Sequence, residues 1–430
     1  MSTHAATVEA VAKPRRLELT GAGLLSGAMA GAGLLAYAFH ILAARTLTTS
    51  DYGQVAVLWG ALFIGVVVLF RPLEQTTARS VADRLTRGEE AATVLRSVAI
   101  VYLCVLAALA AAAALAWGTI TDRLFLGSDF MTAMLVVGIA GYGVQYIGRG
   151  ILGGLRWFHG LSEIHIGDGL IRLAVALPLV ALASKNVAAV ALAAAGIGGA
   201  LAPLWHGRRR IARLREGADD ERFHMRAALR FAAPASVIAG SDQLLVNGAP
   251  LLVIGAGGAE ASKAAAVVFA ATMLVRVPVF LFSGVAGSIL PNLTRLNAAD
   301  DHARFVSTVR RVCVVFAGAT IGIVVAAAVF GPTGMTFLYG PDYTAPAADL
   351  ALLGLGAGCY LAAATISQAL LALARGEQAA VAWTASAALF VAVYVLAGGA
   401  ELHRISLAIA VAMTVDAVLL AVVFARRTRG

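Results

Sequence analysis

Uninterrupted apolar runs of roughly 20 residues recur from one end of this 430-residue chain to the other, and each is long enough to cross the hydrocarbon of a bilayer as a helix. Inside lipid no water meets the backbone N–H and C=O groups, so a spanning segment must form a helix or close into a barrel. Barrel strands read as short segments of alternating polarity, and the sequence has no such pattern. The expected fold class is all-α. Composition agrees, with 60% of residues apolar and 13% charged, against about a quarter charged in an ordinary soluble domain.

The runs place helices near residues 20–43, 54–76, 94–118, 130–151, 162–183 and 186–205, then near 230–255, 263–290, 306–331, 347–374, 378–398 and 402–425. About 12 transmembrane helices in two six-helix lobes are therefore expected. Residues 1–17 form a disordered tail, 18–205 the first lobe, 206–229 a charge-dense linker, 230–425 the second lobe and 426–430 a short tail. Val68-Leu69-Phe70 recurs as Phe280-Leu281-Phe282, about half a chain later. An even number of helices per half makes the repeats parallel, related by an axis along the membrane normal.

The basic residues set an orientation. Of 33 lysines and arginines, 5 lie in one set of loops (Arg45, Arg123, Lys185, Lys263, Arg404) and 2 within spans (Arg172, Arg276). The remaining 26 lie on the other side, in the alternate loops or at the span ends beside them, from Lys13, Arg15 and Arg16 through Arg79, Arg84 and Arg87 to Arg208, Arg209 and Arg210. Cytoplasmic loops carry this excess, so a bacterial plasma-membrane protein with both termini in the cytoplasm is expected. The net charge of +9 then reflects topology rather than nucleic-acid binding, because the arginines sit in short loops without interleaved aromatics. Cys104, Cys313 and Cys359 are isolated within apolar runs, which speaks for no disulfide and no metal site.

Charges inside spans are the informative residues, since each costs at least about 2.5–3.5 kcal/mol at mid-bilayer unless paired or hydrated. Six stand out: Glu74, Asp168, Arg172, Asp242, Arg276 and Asp416. Asp168 and Arg172 are four apart, share a helix face and read as a structural ion pair. Arg276 has no acidic neighbour three or four residues away, so it must face the interior, where a planar guanidinium suits phosphate oxygens. Pro278 would bend the helix beside it. Arg71, Pro72, Glu74 and Gln75 give the second helix a polar, kinked end, where snorkelling to the interface is the alternative, and Asp242, Gln243 and Asn247 give the seventh a polar lining. Gly23, Gly27 and Gly31 form a double GxxxG register that reads as helix packing. Gly354, Gly356 and Gly358 lie in an apolar helix with no preceding strand, so they are not a phosphate loop.

Several stretches resemble one family. They are Ala44-Arg45-Thr46-Leu47-Thr48-Thr49-Ser50-Asp51-Tyr52-Gly53, Arg149-Gly150-Ile151-Leu152-Gly153-Gly154-Leu155-Arg156 with Arg172 beyond it, Arg276-Val277-Pro278-Val279-Phe280-Leu281-Phe282 ending in Leu290-Pro291, and Tyr339-Gly340-Pro341-Asp342-Tyr343. In order and spacing they resemble the multidrug/oligosaccharidyl-lipid/polysaccharide (MOP) flippase superfamily, especially its polysaccharide-flippase branch. The resemblance implies a MATE-like fold and alternating-access export of polyprenyl-pyrophosphate-linked oligosaccharides, without covalent chemistry and so without enzymatic activity. In related lipid II flippases the arginine matching Arg276 lines the cavity and meets the pyrophosphate. Glu74, Gln75, Asp242 and Asn247 are then expected to complete the substrate site or hold a coupling cation, H+ or Na+, with no other cofactor. Expected partners are the lipid-linked sugar, membrane lipid and a polysaccharide polymerase or glycosyltransferase. The rival readings are a multidrug or cation antiporter of the same fold and a membrane glycosyltransferase or ligase, which would need a larger polar loop.

Overall fold

The computed structural model describes residues 16–215, 225–255, 257–277, 302–373 and 375–428. Its first half comprises α1 (Arg16–Thr46), α2 (Thr49–Arg87), α3 (Ala92–Phe125), α4 (Asp129–Gly154), α5 (Phe158–Ala176), α6 (Leu179–Leu182), α7 (Lys185–His206) and α8 (Arg208–Ala212). The second comprises α9 (Met225–Asn247), α10 (Ala249–Ile254), α11 (Gly258–Val275), α12 (His302–Tyr339), α13 (Ala347–Ala372), α14 (Gly376–Leu396) and α15 (Glu401–Thr428). No strand occurs among the described residues, and eleven helical segments there are long and apolar enough to cross a membrane.

The seventh span, read from the sequence as one helix over 230–255, is broken. α9 carries Asp242, Gln243 and Asn247 in its last turns and stops there, and α10 opens after Gly248 with Pro250 in its first turn. A proline has no N–H to continue the ladder, and a Cβ on Gly248 would lie 2.3 Å from the Leu244 carbonyl oxygen. Discontinuous helices of this kind bring backbone polar groups to a cavity. The eighth span, read from the sequence as one helix over 263–290, is interrupted as well: α11 ends at Val275, Arg276 occupies its C-terminal capping position with its N–H on the Met273 carbonyl at 3.1 Å, and helical backbone resumes at Val277. The readings for Pro278, Phe280, Leu281, Phe282, Leu290 and Pro291 lie outside the described residues, as do those for residues 1–15, 216–224 and 429–430.

The two lobes repeat one packing scheme. In the first, α1 packs on α5, α2 on α4, and both α4 and α5 on α7; in the second, α9 packs on α14, α11 on α13, and both α13 and α14 on α15. Displacing the scheme by six spans superposes one list on the other, as parallel repeats require. The 39-residue α2 stands between the lobes and also packs on α9 and α11.

The GxxxG register on α1 needs correction. Gly31 does meet a neighbour, Ile166 of α5 at 2.9 Å from a built Cβ, but Cβ atoms on Gly23 and Gly27 would meet nothing within 4 Å. Small residues permit a close approach without causing one, since lipid supplies no hydrophobic drive to bring a partner in. By contrast, Gly356 packs on Ile409 of α15 and Gly358 on Thr320 of α12.

Candidate functional site

The lobes close on each other at the end where α1 turns into α2. Thr48 caps α2 by accepting the Asp51 N–H at 3.1 Å. Arg45 reaches across to the last turn of α12, donating to the Leu338 carbonyl at 2.9 Å and to that of Phe337. Ser262 Oγ donates to the Ser50 carbonyl at 2.7 Å, the Tyr37 hydroxyl to the Met273 carbonyl at 2.7 Å, and the Tyr52 and Tyr343 rings meet edge to face at 5.9 Å. Two glycines of α2 let the backbones touch: a Cβ on Gly53 would sit 1.9 Å from the Ser262 carbonyl oxygen, and one on Gly60 2.5 Å from that of Asn247. The segments around Ala44–Gly53 and Tyr339–Tyr343, three hundred residues apart in roughly drawn terms, are thus two sides of one seam.

Beyond the seam the space between the lobes widens. A cavity of about 830 Å³ is lined by Arg71, Gln75, Arg79 and Asp83 of α2 and by Asp242, Tyr360, Gln368 and Trp383 of the second lobe. A deeper cavity of about 300 Å³ is lined by Trp59 and Phe63 from α2, Asn247, Met273 and Arg276, and Leu353 and Met413. Asp242 and Tyr360 border both. A polar chain crosses the lobes here: Trp59 Nε1 donates to Asn247 Oδ1 at 3.3 Å, Asn247 Nδ2 to Gln243 Oε1 at 2.7 Å, and Gln243 Nε2 to Asp242 Oδ2 at 3.1 Å. The Tyr360 hydroxyl is an electrostatic neighbour of that carboxylate.

Arg276 lines the deeper cavity and is held only loosely, by a long 3.5 Å bond from its guanidinium to the Leu245 carbonyl. Asp242, Tyr37 and Tyr360 are its electrostatic neighbours, but among the described residues no carboxylate comes within ion-pair distance of it. Of the residues expected to contact substrate, Arg276, Asp242, Asn247 and Gln75 reach the two cavities. Glu74 does not. Its carboxylate faces α4 and is held by Arg71 at 2.8 Å and Arg149 at 3.2 Å, with the Arg149 guanidinium 4.4 Å over the Tyr146 ring. Two guanidiniums on one carboxylate leave one excess positive charge beside the larger cavity. Arg71 can turn toward an incoming anion while Arg149 continues to neutralise Glu74, so no buried charge is stranded. Sequence reasoning placed Arg71 in the polar end of the second helix without assigning it to a cavity, since a residue there can equally snorkel to the interface, and it missed Tyr360 and Trp59, which sit in apolar runs like any core side chain.

Asp168 and Arg172 form an ion pair in the interior of the first lobe, with Tyr142 as a third member: its hydroxyl donates to Asp168 Oδ1 at 2.7 Å and accepts from Arg172 at 3.0 Å. The Arg172 guanidinium also lies 5.0 Å over the Trp59 ring, which joins this pair to the polar chain. Asp168→Asn or Arg172→Gln should each destabilise the protein by about 3–5 kcal/mol, because a lone charge stays buried, whereas the double neutral variant recovers most of the loss. Thermal unfolding of the purified variants in detergent measures this, and a double variant no more stable than the worse single one contradicts a structural pair. Asp416, fully buried, accepts a hydrogen bond from Ser386 Oγ at 3.1 Å. Among the described residues no group of His, Cys, Asp and Glu is arranged to hold a metal ion.

No protein-family model matches the chain. Two proteins of Mycobacterium tuberculosis are similar in sequence: uncharacterized protein Rv1510, 27% identical over 355 residues covering 78% of this chain and 74% of that one, and uncharacterized protein Rv3630, 25% identical over 368 residues covering 82% and 80%. Among solved structures, an inward-facing multidrug resistance MATE family transporter of the MOP superfamily aligns with a TM-score of 0.75 at 15% identity, over 93% of this chain and 94% of that one. An outward-facing conformation of such a transporter aligns at 0.66, again at 15% identity, over 95% of each. The chain therefore has the fold of the MATE transporters of the MOP superfamily.

Proposed function

We propose that this protein exports an anionic, sugar-bearing lipid, of the polyprenyl-pyrophosphate-linked oligosaccharide class, across a bacterial plasma membrane by alternating access. The observation that carries the reading is the placing of two guanidiniums on adjoining inter-lobe cavities, Arg71 from the first lobe on the larger and Arg276 from the second on the deeper, with Asp242 and Tyr360 bordering both. The same two cavities are lined by the amides and hydroxyls of Gln75, Gln243, Asn247, Tyr360 and Gln368. Guanidinium forks match phosphate oxygens, and amides and hydroxyls match sugar hydroxyls. The seam closed at one end and the cavity at the other is one of the two states that rocking lobes alternate between. The polyprenyl tail stays in lipid while the head occupies the cavity. Both termini lie in the cytoplasm in this reading, and a polymerase or glycosyltransferase handles the same lipid before or after it. H+ or Na+ is the coupling cation.

One observation favours a second reading. The deeper cavity is mainly aromatic and aliphatic, with Trp59, Phe63, Met273 and Met413 lining it beside the carboxylate of Asp242, a lining that also suits an organic cation. Reconstituted vesicles separate the two. The flippase reading expects inward or outward movement of a fluorescent polyprenyl-pyrophosphate sugar at well above the protein-free rate, and no accumulation of a cationic dye under an ion gradient. Dye accumulation without lipid movement would replace it with the antiporter.

A further inference from the structure

The first lobe ends in a feature that transport does not use. α7 stops at His206, with the Trp205 side chain 67% exposed. The chain then turns at Gly207 into α8 and a single 3-10 turn, Arg213–Arg215. This stretch is pinned on its inner side. Leu214, 1% exposed, plugs an apolar cluster of Val81, Ala91, Val94 and Val98 at the junction of α2 and α3, and its carbonyl accepts the Ala91 N–H at 2.8 Å. A Cβ on Gly207 would sit 2.5 Å from the Trp157 ring, so glycine lets that indole wedge beneath the turn.

The outer side is cationic. Arg208, Arg209, Arg210 and Arg213 are all exposed. Two are held against indoles: the Arg208 guanidinium lies 4.6 Å over Trp205 and also donates to its carbonyl at 2.9 Å, and that of Arg210 lies 4.8 Å over Trp157. The nearby carboxylate of Glu163 is turned to His159 at 3.0 Å and His206 at 3.4 Å. Among the described residues none of the four arginines has an ion-pair partner. Orienting the chain in the membrane requires basic residues only somewhere in the loop. Here they are fixed on a rigid ledge where a spanning helix ends, beside an exposed tryptophan of the kind that sits at headgroup level.

We infer that α8 and its following turn form a seat for anionic phospholipid headgroups, with Arg208, Arg209, Arg210 and Arg213 meeting the phosphates and Trp205 entering the interface beside them. The occupant is bulk anionic lipid and not the transported molecule: the seat belongs wholly to the first lobe and contributes no residue to either cavity. The inference is independent of what is exported. Charged ledges at the membrane surface gain affinity with each cation they present.

Native mass spectrometry of the full chain, released from micelles holding equal phosphatidylglycerol and phosphatidylcholine, tests it. The unmodified protein is expected to retain phosphatidylglycerol preferentially, and the variant Arg208→Gln/Arg209→Gln/Arg210→Gln/Arg213→Gln to lose that preference at least about tenfold. A variant with four charges removed from the other lobe, Arg304→Gln/Arg310→Gln/Arg311→Gln/Arg375→Gln, is expected to keep it. Equal loss in both variants would mean diffuse charge attraction and overturn the seat. Trp205→Ala keeps every charge and serves if the fourfold variant is not recovered folded. A severalfold drop in retained phosphatidylglycerol supports the inference, and unchanged retention overturns it.

Discussion

Gly53→Ala is expected to hold the lobes apart at the seam and abolish transport while leaving each lobe folded. The new methyl group would lie 1.9 Å from the Ser262 carbonyl oxygen. Its obstacle is backbone, which has no rotamer to escape into, so α2 and α11 must separate. Overpacking of this kind costs about 1–3 kcal/mol or more, and the upper figure shifts a two-state equilibrium about 150-fold. The penalty falls only on the state with the seam shut, because Ser262 lies in the opposite lobe from Gly53 and leaves it when the lobes rock apart. Spin labels at Asp122 and Lys263, exposed residues of the two lobes near this end, should report a longer distance in Gly53→Ala than in the parent. Gly60→Ala, whose methyl would meet the Asn247 carbonyl at 2.5 Å, should move the distribution the same way. An unchanged distribution in Gly53→Ala would contradict the closed seam as a transport state.

Arg276→Ala should lose transport without losing protein, and Arg276→Lys should retain part of it. The guanidinium stands at the end of α11, with one long bond to a backbone carbonyl and no carboxylate at contact distance among the described residues. Removing it therefore breaks little of the fold. Its loss from a buried contact with a phosphate is worth about 2–5 kcal/mol, at least about a thirtyfold fall in rate or affinity. Lysine keeps the charge and gives up the bidentate fork. Movement of a pyrophosphate-linked lipid in reconstituted vesicles is the deciding measurement. Full rates in well-folded Arg276→Ala would remove the residue from the site, and failure of the protein to accumulate would reassign it to structure, with Asp242 as the first partner to test.

Much of the architecture is legible without the structure because lipid makes hydrophobicity a local property. A run such as Ala92–Phe125, of which only 11% of the most apolar window is buried inside the protein, announces itself through composition alone. The bias of basic residues toward alternate loops is equally local. The broken seventh span was less legible. Its polar residues were visible, but Gly248 and Pro250 read as ordinary members of an apolar run, and only the end of α9 beside α2 shows that the helix stops there. The candidate site divides the same way. Arg276 stood out because it had no partner on its own helix. Glu74 stood out for the same intramembrane charge, yet it faces Arg149 of α4 rather than the cavity, since its sequence neighbourhood says nothing about which of its faces meets another helix.

The sequence by itself determined that the chain is all-helical, that it crosses the membrane many times in two repeated halves, and which charged residues need an explanation, because each of these follows from the cost of placing a backbone or a side chain in hydrocarbon. Tertiary structure alone decided which ends of the lobes touch, that Trp59 joins Asn247 and Gln243 in a chain to Asp242, that Arg71 and Arg276 line two cavities which Asp242 and Tyr360 both border, and that Gly53 rather than Gly23 or Gly27 sits at a backbone contact. Those outcomes depend on contacts between residues far apart in the chain. In lipid such contacts are chosen by shape and hydrogen bonding between helices, which no single helix encodes.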